Sequence, residues 1–172
     1  DMINPVNTVK AIWRYHAIDN DWGDFGYNYL IDPYGNIYEG RAGINGVRGN
    51  HAPPNEGSIG ISILGNYTNQ QPTQASTASL IRLMAYLSAV NNIDLTHKTS
   101  FDGNNPGGVY GHKDIGQTAC PGNSFYPLMD ALANNARLVK QTNNEMNNKI
   151  ASINSLVEGR EYYTGANRGD PN

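Results

Sequence analysis

The chain has 172 residues, a formal net charge of −3 and a single cysteine. This length suits one domain with its own core, with room for a short appended segment. The weak acidic excess argues against a nucleic-acid footprint and against a basic membrane-binding face. One cysteine forms no internal disulfide, no signal peptide is visible, and no apolar stretch approaches the roughly 18 residues of a membrane span.

The sequence begins with a predicted amphipathic helix. Asn7-Thr8 is a candidate N-cap, and Gly23 is expected to end the segment. The apolar positions follow the i, i+3, i+4, i+7 spacing of one helix face: Val9, Ile12, Trp13 and His16.

Three strands are predicted after this helix. Residues 26–31 and 36–39 flank the turn sequence Asp32-Pro33-Tyr34-Gly35, which is typical of a hairpin. Residues 58–64 alternate apolar with small or polar residues, as in a sheet strand. Gly60 within this strand predicts the close approach of another backbone.

The second half predicts two more helices and one short strand. A helix is expected over 77–90, a Gly- and Asn-rich loop over 96–108, and a strand at Val109-Tyr110. A third helix is expected from Ser124, carrying Phe125, Leu128, Met129 and Leu132. The stripe of the 77–90 helix is Leu80, Leu83, Met84, Leu87 and Val90. Strands mixed with helices predict an α/β fold, one sheet with helices packed against it.

Gly111-His112-Lys113-Asp114 is followed by Thr118-Ala119-Cys120-Pro121-Gly122, so His112 and Cys120 are eight residues apart. An imidazole and a thiolate at this spacing can reach one Zn²⁺ if the intervening residues loop back. No further Cys or His pairs with short spacing exist for a structural zinc finger, so the pattern favours a catalytic type of site. The alternatives are a buried cysteine and a loop histidine that bonds Asp114.

The tail from about residue 137 carries apolar residues at a 4-3-4 spacing, namely Met146, Ile150, Ile153 and Val157. An exposed helix or linker is the first interpretation, and a coiled-coil or docking helix is the alternative. Residues from Gly159 onward are expected to be disordered or a linker. We therefore predict a domain over 1–136 and a tail over 137–172.

Five motifs occur in an order that resembles the superfamily of peptidoglycan recognition proteins and type 2 N-acetylmuramoyl-L-alanine amidases. Four are residues 22–31, 35–41, 50–52 and 58–62, and the fifth is the region that holds His112 and Cys120. The resemblance covers about residues 7–133. It implies a central mixed β-sheet flanked by helices, with a zinc-bearing groove that holds a muropeptide.

The resemblance also implies roles for single residues. His112 and Cys120 match the second and third zinc ligands, Tyr27 a tyrosine beside the metal, and Thr118 a residue that contacts the transition state. His51 matches a groove histidine, and we place three more residues in the substrate groove: Asn28, Arg41 and Asn55. Alternatives remain for each role: Tyr27 as a packing aromatic, Thr118 as a loop cap and His51 as a turn residue.

By this resemblance, the expected activity is the zinc-dependent hydrolysis of the amide between N-acetylmuramic acid and L-alanine in peptidoglycan, in the extracellular space or at the cell wall. Autolysin, phage endolysin and host-defence origins all remain open. Asp114 is a candidate acceptor that orients a ligating imidazole, and a backbone carbonyl is an equal alternative for that role. The competing interpretations are a module that binds the muropeptide without cutting it and, more weakly, a structural or partner-binding domain.

The family's first zinc ligand is a histidine on a strand before the first helix, and nothing in residues 1–8 supplies it. Either this first strand lies outside the printed sequence, or the protein has lost a ligand. We assign neither His16 nor His97 to that role. Two protein ligands alone are expected to bind zinc weakly.

Overall fold

A computed structural model describes residues 4–41, 47–98, 101 and 107–165, with side chains as far as residue 153. The helices are α1 Pro5–Arg14 with a π-helical turn Tyr15–Asp19, α2 Gln74–Val90, α3 His112–Ile115, a 3₁₀ turn Tyr126–Leu128, and α4 Met129–Gly165. The strands are β1 Tyr29–Ile31, β2 Ile37–Glu39 and β3 Ile61–Ile63.

The described strands form one mixed sheet in the order β2-β1-β3. β1 pairs antiparallel with β2 and parallel with β3, which confirms both the hairpin and the mixed α/β sheet. Leu30 and Ile31 of β1 are fully buried, whereas the residues of β3 are half-buried. β1 is therefore the central strand of the described sheet.

Asp32 organises the turn between β1 and β2, and its side chain is fully buried. One carboxylate oxygen accepts the backbone N–H groups of Tyr34 and Asn36, at 2.8 and 2.9 Å. The other accepts the Asn36 side-chain amide and the Tyr38 hydroxyl, each at 2.8 Å. Burial alone would raise the pKa of Asp32, but these bonds hold it below its ordinary value.

The strand predicted at Val109-Tyr110 is wrong. Residues 107–111 have no regular structure and pair with no described strand. Two apolar residues flanked by glycines define a strand only where a neighbouring backbone accepts their hydrogen bonds. In the part of the chain that the structure describes, β3 forms the corresponding edge of the sheet.

α1 begins earlier than the sequence predicts. Asn4 is the N-cap, since its side-chain oxygen accepts the Asn7 N–H at 3.3 Å, and Pro5 occupies the first helical position. The helix ends in the π turn, before the predicted stop at Gly23. This turn carries His16 into the protein, where it is 9% exposed.

The main core lies between α2 and α4. The predicted apolar stripe of α2 is buried except at Val90, which is 51% exposed because it lies in the last turn. Phe125, Met129 and Leu132 are buried on the facing side, as the third predicted helix requires. Ala136 is fully buried, so the two helices approach closely at this point.

α4 continues without a break through the predicted boundary at residue 136. Every side chain described from 141 to 153 is exposed, including Met146, Ile150 and Ile153. The side chain of Val157 lies outside the described residues. Although α4 is long, no helix in the described ranges is both long and apolar enough to cross a membrane.

Candidate metal and substrate site

His112 is the first residue of α3, a single helical turn preceded by Gly111. The Gly111 N–H donates to Oδ2 of Asp114 at 2.8 Å, and the Asp114 N–H donates to the Gly111 carbonyl at 2.9 Å. This reciprocal pair closes the turn that presents His112. A Cβ at Gly116 would lie 3.8 Å from Nε2 of His112, so this end of the turn leaves the imidazole uncrowded.

Cys120 lies on the next turn, and it is exposed. Its N–H donates to Oγ1 of Thr118 at 3.1 Å, and its carbonyl accepts the Lys113 N–H at 2.9 Å. The second bond joins the residue after His112 directly to Cys120. Partial desolvation raises the pKa of the Cys120 thiol, although exposure of the residue limits this effect.

Tyr27 lies two residues before β1 and is half-buried. Burial, and then the negative charge of a Cys120 thiolate, raise the pKa of Tyr27 above its ordinary value. The two groups therefore lie near enough for their charges to interact. The Tyr27 hydroxyl stays protonated at neutral pH.

His51 is held in a close-fitting loop. Its N–H and that of Ala52 both donate to Oδ1 of Asn55, each at 2.8 Å. Gly49 and Gly60 flank the imidazole so closely that a Cβ at either position would overlap it. Gly60 is thus approached by this imidazole and also by a backbone, as predicted, since its carbonyl accepts the Asn28 N–H at 2.9 Å.

Burial, and then the positive charge of protonated His112, lower the pKa of His51. His51 is therefore neutral at pH 7 and close to His112. Its Nε2 is buried and has no hydrogen-bond partner among the described residues. A buried imidazole nitrogen without a partner is costly, and a bound ligand would satisfy it.

The donor chemistry of this cluster fits zinc, which takes neutral imidazole and thiolate ligands. His112 and Cys120 supply one of each on turns joined by a backbone hydrogen bond. Within the described ranges, no group of three or more His, Cys, Asp or Glu residues is placed to hold a metal ion. These residues thus provide two protein donors.

Three residues predicted for the substrate groove make hydrogen bonds within the protein framework. Asn28 is 5% exposed, and its amide donates to the Val47 carbonyl at 2.8 Å and accepts the Gly60 N–H at 2.9 Å. Asn55, which is 4% exposed, shapes the His51 loop. The Nε of Arg41 donates to the Phe25 carbonyl at 2.7 Å. These side chains hold the framework together.

His16 also has a structural partner, since its Nδ1 accepts the Gly26 N–H at 3.1 Å. Its ring lies 5.6 Å from that of Tyr27, and both line a depression of about 460 Å³ between α1 and β3. Another depression of about 450 Å³, beside Asn66 and Thr68, contains none of the predicted site residues.

Tyr126 was not predicted as a site residue, and the partners of Asp114 differ from the predicted imidazole. The Asp114 carboxylate accepts the Gly111 N–H and the Tyr126 hydroxyl, and does not orient an imidazole. Lys113 lies over the Tyr126 ring, 4.1 Å from its centroid. In the sequence, Tyr126 is marked only as an aromatic residue four positions after Gly122. Core packing explains an aromatic residue at such a position equally well.

Comparison with known proteins gives consistent matches. The family model described as N-acetylmuramoyl-L-alanine amidase matches residues 4–123. Peptidoglycan-recognition protein SC2 of Drosophila simulans is 39% identical over 122 residues, covering 70% of this chain and 60% of that protein. The chain thus spans less than two thirds of the length of this relative.

Two solved structures share the fold. The N-acetylmuramoyl-L-alanine amidase LysC from Clostridium intestinale has a TM-score of 0.54 and 32% identity, covering 71% of this chain and 74% of its own. Human PGRP-IBETAC in complex with glycosamyl muramyl pentapeptide has a TM-score of 0.55 and 25% identity, covering 71% and 68%. The chain belongs to the N-acetylmuramoyl-L-alanine amidase family.

Proposed function

We propose that this chain is the catalytic domain of a zinc amidase that hydrolyses the amide between N-acetylmuramic acid and L-alanine in peptidoglycan. The observation that carries the proposal is the placement of His112 and Cys120 on turns joined by the hydrogen bond from the Lys113 N–H to the Cys120 carbonyl, at 2.9 Å. Tyr27 is close enough to Cys120, and His51 to His112, for their charges to interact. The match to an amidase family model and to a clostridial amidase supports it.

His112 and Cys120 would hold the zinc ion. When bound, zinc supplies Lewis-acid polarisation of the amide carbonyl and activation of a water nucleophile. The protonated Tyr27 hydroxyl can donate a hydrogen bond to the reacting group. Thr118 uses an oxygen lone pair to accept the Cys120 N–H, so its hydroxyl proton is free to stabilise a developing oxyanion.

His51 would bind the substrate. Its unpartnered Nε2 offers a hydrogen bond inside a buried loop, where the glycine flanks fix the ring orientation. The muramyl pentapeptide bound by the human relative shows the chemical class of ligand that this fold accommodates. Since peptidoglycan is a cell-wall polymer, we place the activity outside the cytoplasm, at the wall.

The competing function is recognition of the same glycopeptide without cleavage. Two observations favour this alternative. The described residues provide only two protein donors for a metal ion. The chain is also similar to a peptidoglycan-recognition protein. In that case His51 and Tyr27 would contact the muropeptide, and Cys120 would be dispensable.

Substitution of Cys120 by Ser in the natural full-length protein separates the two functions. A hydroxyl is nearly isosteric with a thiol but is a far poorer zinc ligand, so release of stem peptide from muropeptide should fall below detection while the circular dichroism spectrum is unchanged. His112→Ala should behave in the same way, and His97→Ala, at an exposed histidine, should retain activity.

Zinc content, measured alongside hydrolysis, completes the test. We expect stoichiometric zinc in the wild-type protein and a marked loss in both ligand variants. Turnover by Cys120→Ser at the wild-type rate would refute the zinc amidase. Muropeptide binding by a wild-type protein that neither holds zinc nor releases peptide would establish the recognition module.

A further inference from the structure

Tyr126 contacts the residues on both sides of His112. A Cβ added at Gly111 would lie 3.0 Å from Cδ2 and Cε2 of the Tyr126 ring. The ammonium of Lys113 lies 4.1 Å from the ring centroid, and the phenol hydroxyl donates to Oδ1 of Asp114. One side chain thus engages Gly111, Lys113 and Asp114.

The same contacts reach the second metal-donor residue. Lys113 donates its backbone N–H to the Cys120 carbonyl at 2.9 Å, so the residue after His112 is bonded directly to Cys120. Pro121 also packs on Gly111, with its Cδ 3.0 Å from where a Cβ would lie. The two donors therefore keep their relative position only while this contact region is intact.

Tyr126 is anchored to the core. Its N–H donates to the Gly122 carbonyl at 3.0 Å, and the preceding residue, Phe125, is 8% exposed. The Phe125 ring meets the Tyr67 ring edge-on at 5.6 Å, and the Ser124 N–H donates to the Tyr67 carbonyl at 3.0 Å. Contacts thus run from the core through Tyr126 to the turn bearing His112.

We propose that Tyr126 is a positioning residue whose ring and hydroxyl clamp the α3 turn and so set the geometry of His112 relative to Cys120. An isolated four-residue helical turn is unstable, because one hydrogen-bonded turn does not compensate for the backbone order it requires. A metal site nevertheless needs its donors held within about 0.5 Å. The clamp supplies this rigidity, and the inference rests on the zinc site proposed above.

Tyr126→Phe in the full-length protein tests the clamp, because it removes the hydroxyl and keeps the ring over which Lys113 lies. The matched control is Tyr38→Phe, which removes an equivalent tyrosine-to-aspartate bond at Asp32, on the hairpin. Cobalt(II) replaces zinc as the probe, since its visible absorption reports coordination geometry. The position of its absorption bands and its affinity are measured for all three proteins.

Tyr126→Phe should weaken cobalt affinity about tenfold or more and alter the spectrum, as losses of supporting residues around metal ligands do. Tyr38→Phe should leave both unchanged. Wild-type cobalt affinity and spectrum in Tyr126→Phe would overturn the clamp. An equal loss of cobalt affinity in Tyr38→Phe would also overturn it, because it would indicate a general loosening of the protein.

Hydrogen exchange of the peptide containing residues 111–122 distinguishes failure of the clamp from failure of the metal site. In the metal-free protein, the backbone amides of this peptide should exchange faster in Tyr126→Phe than in the wild type. In Tyr38→Phe their exchange should be unchanged. Faster exchange in a protein that binds no cobalt would refute the zinc amidase and preserve the clamp of the turn. Unchanged exchange would refute the clamp directly.

Discussion

Two aspartates close turns in this protein, and each accepts a hydrogen bond from a tyrosine hydroxyl. Asp32 is fully buried in the β1–β2 hairpin and accepts four hydrogen bonds, including that of Tyr38. Asp114 is exposed on the α3 turn and accepts from Gly111 and Tyr126. The same chemical pair therefore contains a buried carboxylate in the hairpin and an exposed carboxylate in the α3 turn.

Burial decides this difference. In the hairpin, the Asp32 carboxylate is shielded from water, so a bond from water does not replace a hydrogen bond that it loses. In the α3 turn, water can solvate a freed donor, and removal of the bond changes position more than free energy. A substitution at Asp32 should consequently lower the stability of the protein, whereas a substitution at Asp114 should mainly weaken metal binding.

The largest expected effect is that of Asp32→Asn. The amide cannot accept all four donors, so the free energy of unfolding should fall by about 3 kcal/mol in urea denaturation. Asp19→Asn, at an exposed position, is the control and should remain within about 0.5 kcal/mol of wild type. A loss below about 1 kcal/mol at Asp32 would show that the turn does not depend on the carboxylate.

The stabilisation by Asp32 should also depend on pH. Since the pKa of Asp32 is lowered in the folded protein, its stabilisation is fully present above the unfolded value of about 3.9 and is lost as the pH falls through the folded value. Below about pH 4, this group should lower stability by at most about 1.4 kcal/mol per pH unit. Between pH 5 and pH 2, the free energy of unfolding should depend less steeply on pH in Asp32→Asn than in the wild-type protein.

Asp114→Asn should have the smallest effect on stability. We expect a melting temperature within about 2 °C of wild type, measured by circular dichroism, because solvent reaches this turn. Cobalt affinity should nevertheless fall, since the Gly111 and Tyr126 bonds both end on this carboxylate. A large stability loss with unchanged cobalt affinity would reverse the roles assigned to the two aspartates.

Local sequence patterns predicted the helices and turns whose structure depends on residues a few positions apart. The α2 stripe and the Asp32-Pro33-Tyr34-Gly35 turn were correct, because periodicity and turn residues act over a few positions. The strand at Val109-Tyr110 failed, since a strand also needs a partner that the sequence does not show.

The candidate site was partly predictable for the same reason. His112 and Cys120 lie eight residues apart, so their spacing alone suggested a common site. The framework bonds of Asn28 were not predictable from local patterns, because they reach Val47 and Gly60, 19 and 32 positions away. Tyr126 went unnoticed because only the folded turn brings its ring against Gly111.

The long exposed half of α4 has a practical consequence. From Lys140, which donates to the Ser88 carbonyl, the helix runs on to Gly165, a rise of about 38 Å at 1.5 Å per residue. A label or surface attachment near residue 165 would therefore be separated from the α2–α4 core by an exposed helix that is longer than a small domain is wide. Immobilisation through this end should leave the domain free to meet an insoluble polymer.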